Sequence, residues 1–381
     1  MLNKNHSLLI LLTLIMFSCG QNGKNGETAE TIEEQETEAK LEYTVETIVS
    51  DINIPWGMAF LPDGSMLITE KAGTLYHFKD GDKTEVSHDL TVHNYGQGGF
   101  MDIELHPDYA ENGWIYFSYA SNEGEGEGGH TAIARAKLEG GALTNTEVLY
   151  KATPNTTRGQ HFGSRIDFDN DGYLYFSIGE RGERDVNPQD ITRDGGKIYR
   201  LYDDGRVPDD NPFVETENAK TAIYSYGHRN PQGMLKHYET GAIWVHEHGP
   251  QGGDEINIIK KGANYGWPVI SYGVNYDGTS FTDITEKEGM EQPIHYWVPS
   301  IAPSGMTFVT SDVYPQWKGD LLVGSLKFGY LERLIMDGNN VVERDKLVEG
   351  EGRVRNVRQG PDGYIYVGVE GTGIVKIVPE S

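Results

Sequence analysis

The chain has 381 residues, with 32 Lys and Arg against 58 Asp and Glu, for a formal net charge of -26. So acidic a surface repels phosphate backbones, whose binding depends on Lys and Arg displacing counterions, and this excludes nucleic acid as a partner. Hydrophobic residues make up 37%, with 48 glycines and 22 tyrosines, which favours a sizeable core of frequently turning β structure over long helices.

At the start, Lys4 and His6 precede an apolar run over residues 8–17, shorter than the ~20 residues a spanning helix needs and suited to a signal peptide. Cys19, the sole cysteine, follows between Ser18 and Gly20, where a bacterial lipoprotein is cleaved and acylated. Phe17 makes that lipobox imperfect, and an incidental cysteine near an ordinary cleavage site is the alternative. An unpaired thiol in an oxidising compartment favours acylation. Residues 1–19 are therefore expected to be a lipoprotein signal, and the mature chain to be exported and lipid-anchored at the periplasmic face of a bacterial membrane. Residues 20–42 are rich in Glu, Thr, Asn and Gly with almost no large apolar side chain, the composition of a flexible acidic tether.

From Tyr43 onward one theme recurs: an apolar strand, a Pro/Asp/Asn-Gly turn, then a strand of alternating aromatic or aliphatic residues. Copies begin at Pro55-Trp56-Gly57, Met101-Asp102-Ile103, Ser164-Arg165-Ile166, Asn230-Pro231-Gln232, Pro303-Ser304-Gly305 and Val354-Arg355-Asn356. Each reads as one short antiparallel sheet, too small to bury both faces alone. Radial stacking around a channel solves that problem, so residues 43–381 are expected to form an all-β, six-bladed β-propeller. The β-branched run 43–49 lies outside the six copies and is expected to pair with the last blade and close the ring.

Propellers gather function on the loops at one mouth of the channel. Four glycine-rich loops stand out, around Gln97, around Gln160-His161, at Tyr226-Gly227-His228-Arg229-Asn230, and from Glu247 through Gly249-Pro250 to Asp254-Glu255 and on to Tyr265. His161 could be a general base, because imidazole titrates near neutrality, or a loop histidine that only hydrogen-bonds. Arg229 beside Asn230 could hold a developing oxyanion or simply tie turn carbonyls. Asp254, Glu255 and the Gly249 and Pro250 carbonyls are hard oxygen donors of the kind calcium takes, without the spacing of an EF-hand. Lys327, Arg353 and Arg355 could form an anion-binding patch or a solvated face. No dinucleotide-binding or P-loop pattern is present.

These loops make the chain resemble the soluble PQQ-dependent aldose sugar dehydrogenases of the glucose/sorbosone dehydrogenase family, from about Val45 to Val378. The most specific matches are Gly227-His228-Arg229-Asn230-Pro231-Gln232-Gly233, Asp254-Glu255-Ile256-Asn257 with Asn264-Tyr265-Gly266-Trp267-Pro268, and Arg353-Val354-Arg355-Asn356-Val357-Arg358. The resemblance implies a six-bladed propeller that binds PQQ and calcium and oxidises an aldose sugar to a lactone. It implies His161 as proton acceptor, Gln97 beside cofactor and substrate, and Arg229 with Asn230 at the quinone. Glu255 and the Tyr265 carbonyl are implied as ligands of a structural calcium, and the Gly249 and Pro250 carbonyls as ligands of a second calcium touching PQQ. Tyr276, Lys327, Arg353 and Arg355 are implied as further contacts to the tricarboxylate. Electrons would pass to an external quinone or cytochrome. One departure is Gln160, which stands where the glucose-preferring branch has an Asp that orients the histidine. The competing readings are a calcium-dependent propeller lactonase and a non-catalytic propeller binding module.

Overall fold

The computed structural model describes residues 41–380, so the signal and nearly all of the tether lie outside the described residues. The described chain forms six four-stranded antiparallel sheets. Blade 6 contains β1 (Tyr43–Ser50). Blade 1 comprises β2 (Pro55–Phe60), β3 (Met66–Glu70), β4 (Leu75–Lys79) and β5 (Asp82–Val86), and blade 2 comprises β6 (Phe100–Leu105), β7 (Trp114–Ser121), β8 (His130–Glu139) and β9 (Ala142–Lys151). Blade 3 comprises β10 (Ile166–Phe168), β11 (Leu174–Ile178), β12 (Lys197–Leu201) and β13 (Ile223–Tyr226). Blade 4 comprises β14 (Pro231–Lys236), β15 (Ile243–Glu247), β16 (Asp254–Ile258) and β17 (His295–Trp297). Blade 5 comprises β18 (Pro303–Phe308), β19 (Leu321–Ser325), β20 (Tyr330–Asp337) and β21 (Asn340–Leu347). The remaining strands of blade 6 are β22 (Val354–Gln359), β23 (Ile365–Val369) and β24 (Gly373–Pro379).

All six sequence copies become the first, innermost strand of a blade. The turns after three of them place Gly64, Gly172 and Gly363 at φ of 83°, 80° and 83°, a region costly for any residue with a Cβ. First strands of neighbouring blades pack in sequence, β2 on β6, on through β10, β14 and β18 to β22, and β22 returns to β2. The ring closes as expected through β1, which pairs antiparallel with β24 from Tyr43↔Pro379 to Ser50↔Gly373.

Apolar burial explains the stacking. One hydrophobic cluster fills each gap between adjacent blades, for example Phe100, Phe117 and Leu67 between blades 1 and 2, and Ile68, Met58 and Ile374 where blade 6 meets blade 1. Outer strands such as β5 and β21 alternate toward solvent. The axis is polar instead. Buried Arg165 donates to Asp102 Oδ1 (3.0 Å) and to the carbonyls of Gln232 (2.7 Å) and Arg355 (3.0 Å), while its guanidinium lies 4.2 Å from the Trp56 ring. A single side chain thereby joins five of the six blades. Nearby, Arg358 pairs with Glu104 at 2.6 Å.

Candidate active site

First strands all run away from one end of the ring, so at that end emerge the loops that enter each first strand and the loops that follow each second strand. Gln97, His161, Arg229 and Arg353 lie shortly before β6, β10, β14 and β22. Lys71, Glu180, Gly249, Lys327 and Glu370 follow β3, β11, β15, β19 and β23. Topology alone therefore brings these residues to one mouth. Five first strands carry a register shift, as between Pro55 and Gly57 or Val354 and Asn356, which re-aims the chain where it enters the ring. The long connection 259–294 of blade 4 also reaches the mouth, since Tyr265 and Trp267 donate their N–H groups to the carbonyls of Tyr226 and Gly227 (both 2.8 Å).

A cavity of about 680 Å³ opens there, walled by Gln97, Gln160, His161, Glu180, Arg229 and Tyr276, with Pro250 and Trp267. His161 adopts a left-handed backbone (φ 58°) and donates its N–H to Gln97 Oε1 at 2.8 Å. Its Nδ1 is engaged by Glu180 Oε1, which leaves Nε2 as the ring nitrogen for substrate. Burial, and then the Arg229 guanidinium, lower the His161 pKa, while Glu180 opposes them. The imidazole is thus a neutral base at neutral pH. Gln160 lines the cavity, and the carboxylate that meets the imidazole at Nδ1 is that of Glu180, nineteen positions along the chain from His161. Glu180 sits in Gly179-Glu180-Arg181-Gly182 at the end of a strand, the same glycine-flanked pattern as the other site loops. That was the available signal.

Arg229 donates through Nη1 to the carbonyls of His248 (3.1 Å) and Gly249 (2.7 Å) and through Nη2 to the Tyr276 hydroxyl (3.4 Å). It both ties turn carbonyls and presents charge to the cavity. Tyr276 is 75% exposed at the rim. Asn230 lies fully buried behind this wall, with Oδ1 accepting the Gly163 N–H (3.1 Å) and Nδ2 without a hydrogen-bond partner among the described residues. An orphaned amide donor, a guanidinium and the aromatic faces of Trp267 and Tyr276 suit a planar polycarboxylate, so the residues present fit PQQ.

The structure separates the two acidic candidates. Asp254 is fully engaged, accepting from the Gly249 N–H (2.8 Å), the Ser300 hydroxyl (2.6 Å) and the N–H groups of Ile301 (2.7 Å) and Ala302 (2.9 Å). Among the described residues the Glu255 carboxylate has only the Asn257 amide, at 3.3 Å. It lines a void of about 10 Å³ with Glu247, Gly249 and Tyr265, room for one water-sized body. Burial, and then the Glu247 carboxylate, push the Glu255 pKa up. A half-buried carboxylate without a counterion among the described residues, set among hard oxygen donors, fits calcium. Among the described residues no three acidic, His or Cys side chains converge as a metal cluster, so backbone carbonyls would complete such a site. Pro250 lines the large cavity instead.

Lys327, Arg353 and Arg355 lie together, but they do not line the cavity. Arg353 donates to the carbonyl of Leu326 (3.0 Å), the neighbour of Lys327, and both arginines pair with Glu370. Arg353 is 54% exposed, whereas the Arg355 side chain is 12% exposed. Lys71, unanticipated from the sequence, extends this patch toward Gln97: its carbonyl accepts the Phe100 N–H (3.0 Å), and Arg355, after burial, lowers its pKa.

Residues 52–376 match the glucose/sorbosone dehydrogenase family. The chain is 41% identical over 331 residues to the aldose sugar dehydrogenase YliI of Escherichia coli, covering 85% of this chain and 89% of that protein. It is similar to the crystal structure of the soluble aldose sugar dehydrogenase from Escherichia coli in its apo form (TM-score 0.84, 38% identity, covering 89% of this chain and 100% of that one). It is also similar to the PQQ-bound aldose sugar dehydrogenase from Streptomyces coelicolor (TM-score 0.72, 28% identity, covering 90% and 99%). A six-bladed ring with a carboxylate-held histidine at its mouth, matched over nearly its whole described length, belongs to the glucose/sorbosone dehydrogenase family.

Proposed function

We propose that this chain is a PQQ- and calcium-dependent aldose sugar dehydrogenase that oxidises the anomeric carbon of a cyclic aldose to a lactone. The observation that carries this reading is the His161–Glu180 pair sharing one cavity with Arg229. PQQ, when bound, supplies the hydride acceptor, and calcium beside it supplies Lewis-acid assistance.

Glu180 keeps the His161 proton on Nδ1, so the Nε2 lone pair can take the proton of the anomeric hydroxyl. As that proton leaves, electron density on the oxygen favours departure of the hydrogen on C1 as hydride, and the carbonyl of a lactone forms with the ring oxygen still in place. Gln97, fixed by the His161 N–H, offers its amide to a sugar hydroxyl. Arg229 and Asn230 Nδ2 would hold the quinone side of the cofactor, Tyr276 would touch it at the rim, and Lys327, Arg353 and Arg355, beside the cavity and not on its wall, would draw its carboxylates by charge. Glu255 with the Tyr265 carbonyl would hold one calcium, and the Gly249 and Pro250 carbonyls another. The protein would act as an exported lipoprotein, with residues 1–19 as signal and 20–42 as tether, passing electrons to a quinone or cytochrome.

The test is reconstitution. Apo protein with calcium and PQQ, given an aldose and a redox dye, should reduce the dye, and His161→Ala should abolish that reduction. No PQQ uptake would remove the proposal. Lactone hydrolysis without PQQ would assign a hydrolase instead.

A further inference from the structure

Beside the catalytic cavity lies a second one of about 540 Å³, formed by loops of blades 2 and 3 and within the roughly 300–1,000 Å³ of small-molecule sites. The two share Glu183, and Arg181, which lines the second, donates to the carbonyl of Gln160, which lines the first. Arg181 is fully buried and donates to the carbonyls of Gln160, Arg158 (2.7 Å) and Gly129 (3.1 Å), so no carboxylate balances its charge through a hydrogen bond. Its Nε has no hydrogen-bond partner among the described residues. Arg193, also on this wall, is held by Asn187 Oδ1 at 3.0 Å and makes no ion pair among the described residues.

The carboxylates on the wall are already engaged. Asp194 pairs with Lys220 (3.0 Å) and accepts both the Tyr150 (2.6 Å) and Tyr199 (2.9 Å) hydroxyls and the Thr153 N–H (2.9 Å). Glu183 pairs with Arg158 at 3.1 Å. Neither Arg181 nor Arg193 hydrogen-bonds a carboxylate among the described residues, although Glu180 acts on the first and Asp190 feels the second through space, and this in a chain of net charge -26. Around those charges stand Thr153, Thr156 and Thr192, whose hydroxyls can still exchange hydrogen bonds with a sugar, whereas Asn155 is taken up by Lys151 and the carbonyls of Asn122 and Glu123.

We propose that this second cavity binds a sugar carboxylate, with Arg181 and Arg193 meeting the anionic group and the Thr side chains meeting the hydroxyls. Two sources carry that chemistry: a uronate unit joined to the aldose being oxidised, or the free aldonate formed when the lactone product hydrolyses. The binding itself does not depend on the proposed oxidation; the choice between sources rests on it.

Calorimetry on the apo protein with gluconate, methyl glucuronide and, as neutral control, methyl glucoside tests the site without PQQ. At least one anion should bind, weakening with added salt, and the neutral glycoside should not. Arg193→Gln should weaken the anion by about tenfold or more, and Lys220→Gln should weaken it less, because Lys220 is already paired. Arg181 is left intact, because it fastens the loop that carries His161. If neither anion binds, or both variants bind as the parent does, the proposal is overturned. With reconstituted enzyme, a uronate-terminated disaccharide with lower KM than its neutral counterpart, an advantage lost in Arg193→Gln, supports the first source. Competition by gluconate without that advantage supports the second. Dye reduction with neutral aldoses in the absence of any anion binding would leave the dehydrogenase reading standing and remove this one.

Discussion

Replacing Glu180 with Gln tests the chemical centre most directly. The substitution preserves shape and a hydrogen-bond acceptor for His161 Nδ1, but it removes the charge that stabilises imidazolium as the substrate proton arrives. For two charges in contact near ~4 Å, an effective dielectric of about 20 gives roughly 4 kcal/mol. Part of this is offset because the buried carboxylate is itself costly to desolvate, leaving about 3 kcal/mol, or roughly two orders of magnitude in kcat. The pH profile should move as well. Glu180 raises the His161 pKa against burial and Arg229, so its loss shifts the acid limb to still lower pH while the plateau falls. A merely structural defect would lower the plateau without that displacement. The assay is dye reduction by enzyme reconstituted with PQQ and calcium, across pH, for Glu180→Gln, Glu180→Asp and the double variant with His161→Ala. Partial rescue by Asp and a double variant no worse than His161→Ala are expected, because the two residues act as one unit. A Glu180→Gln enzyme within threefold of the parent, or fully additive losses, would refute this reasoning.

In the parent enzyme, the lowered His161 pKa keeps the base neutral further into acid, so kcat/KM should hold below the ordinary imidazole value of about 6.5 and fall only as pH drops through the lowered pKa. Arg229→Gln should weaken PQQ uptake by about tenfold or more, read from cofactor absorbance after equilibrium dialysis, because charge-assisted hydrogen bonds are lost. Calcium should raise the unfolding temperature of the parent apo protein and leave Glu255→Gln nearly unmoved, since the variant lacks the carboxylate with spare lone pairs. Asp102→Asn should cost about 3 kcal/mol or more in chemical denaturation, because it leaves Arg165 charged and unpaired on the axis.

The propeller was legible because its signals are local. Turn glycines and alternating strands mark each blade, and all six quoted copies became innermost strands. The ring-closing role of 43–49 followed from its position outside the count. Of the candidates read from the sequence, Gln97, His161 and Arg229, on glycine loops that enter a first strand, come together on the wall of one cavity. Loops that follow second strands are harder to read: Gly249 and Lys327 are among the candidates, whereas Glu180, Lys71 and Glu370, which the fold brings to the same mouth, are not. Glu180 is hidden from the sequence for a specific reason: it lies nineteen positions from His161, and only the pairing of β10 with β11 sets the loop that enters one beside the loop that leaves the other. Arg165 shows the same limit, for nothing local reveals that one guanidinium reaches five blades.

Glu370 alters how the basic patch should be understood. An exposed pair of arginines would lose side-chain freedom on meeting an anion, and that entropy would subtract from affinity. Here Glu370 holds both beforehand. Burial works against its charge, yet Arg355 and then Arg353 keep its pKa below the ordinary carboxylate value, so it remains anionic at neutral pH. Arg355 is fixed and largely buried, while Arg353 keeps an exposed face beside Lys327. Lys71 adds a further cation that feels both Arg355 and Glu370. The patch therefore retains a surplus of positive charge on side chains already set in position, the arrangement that binds a rigid polyanion with little reorganisation.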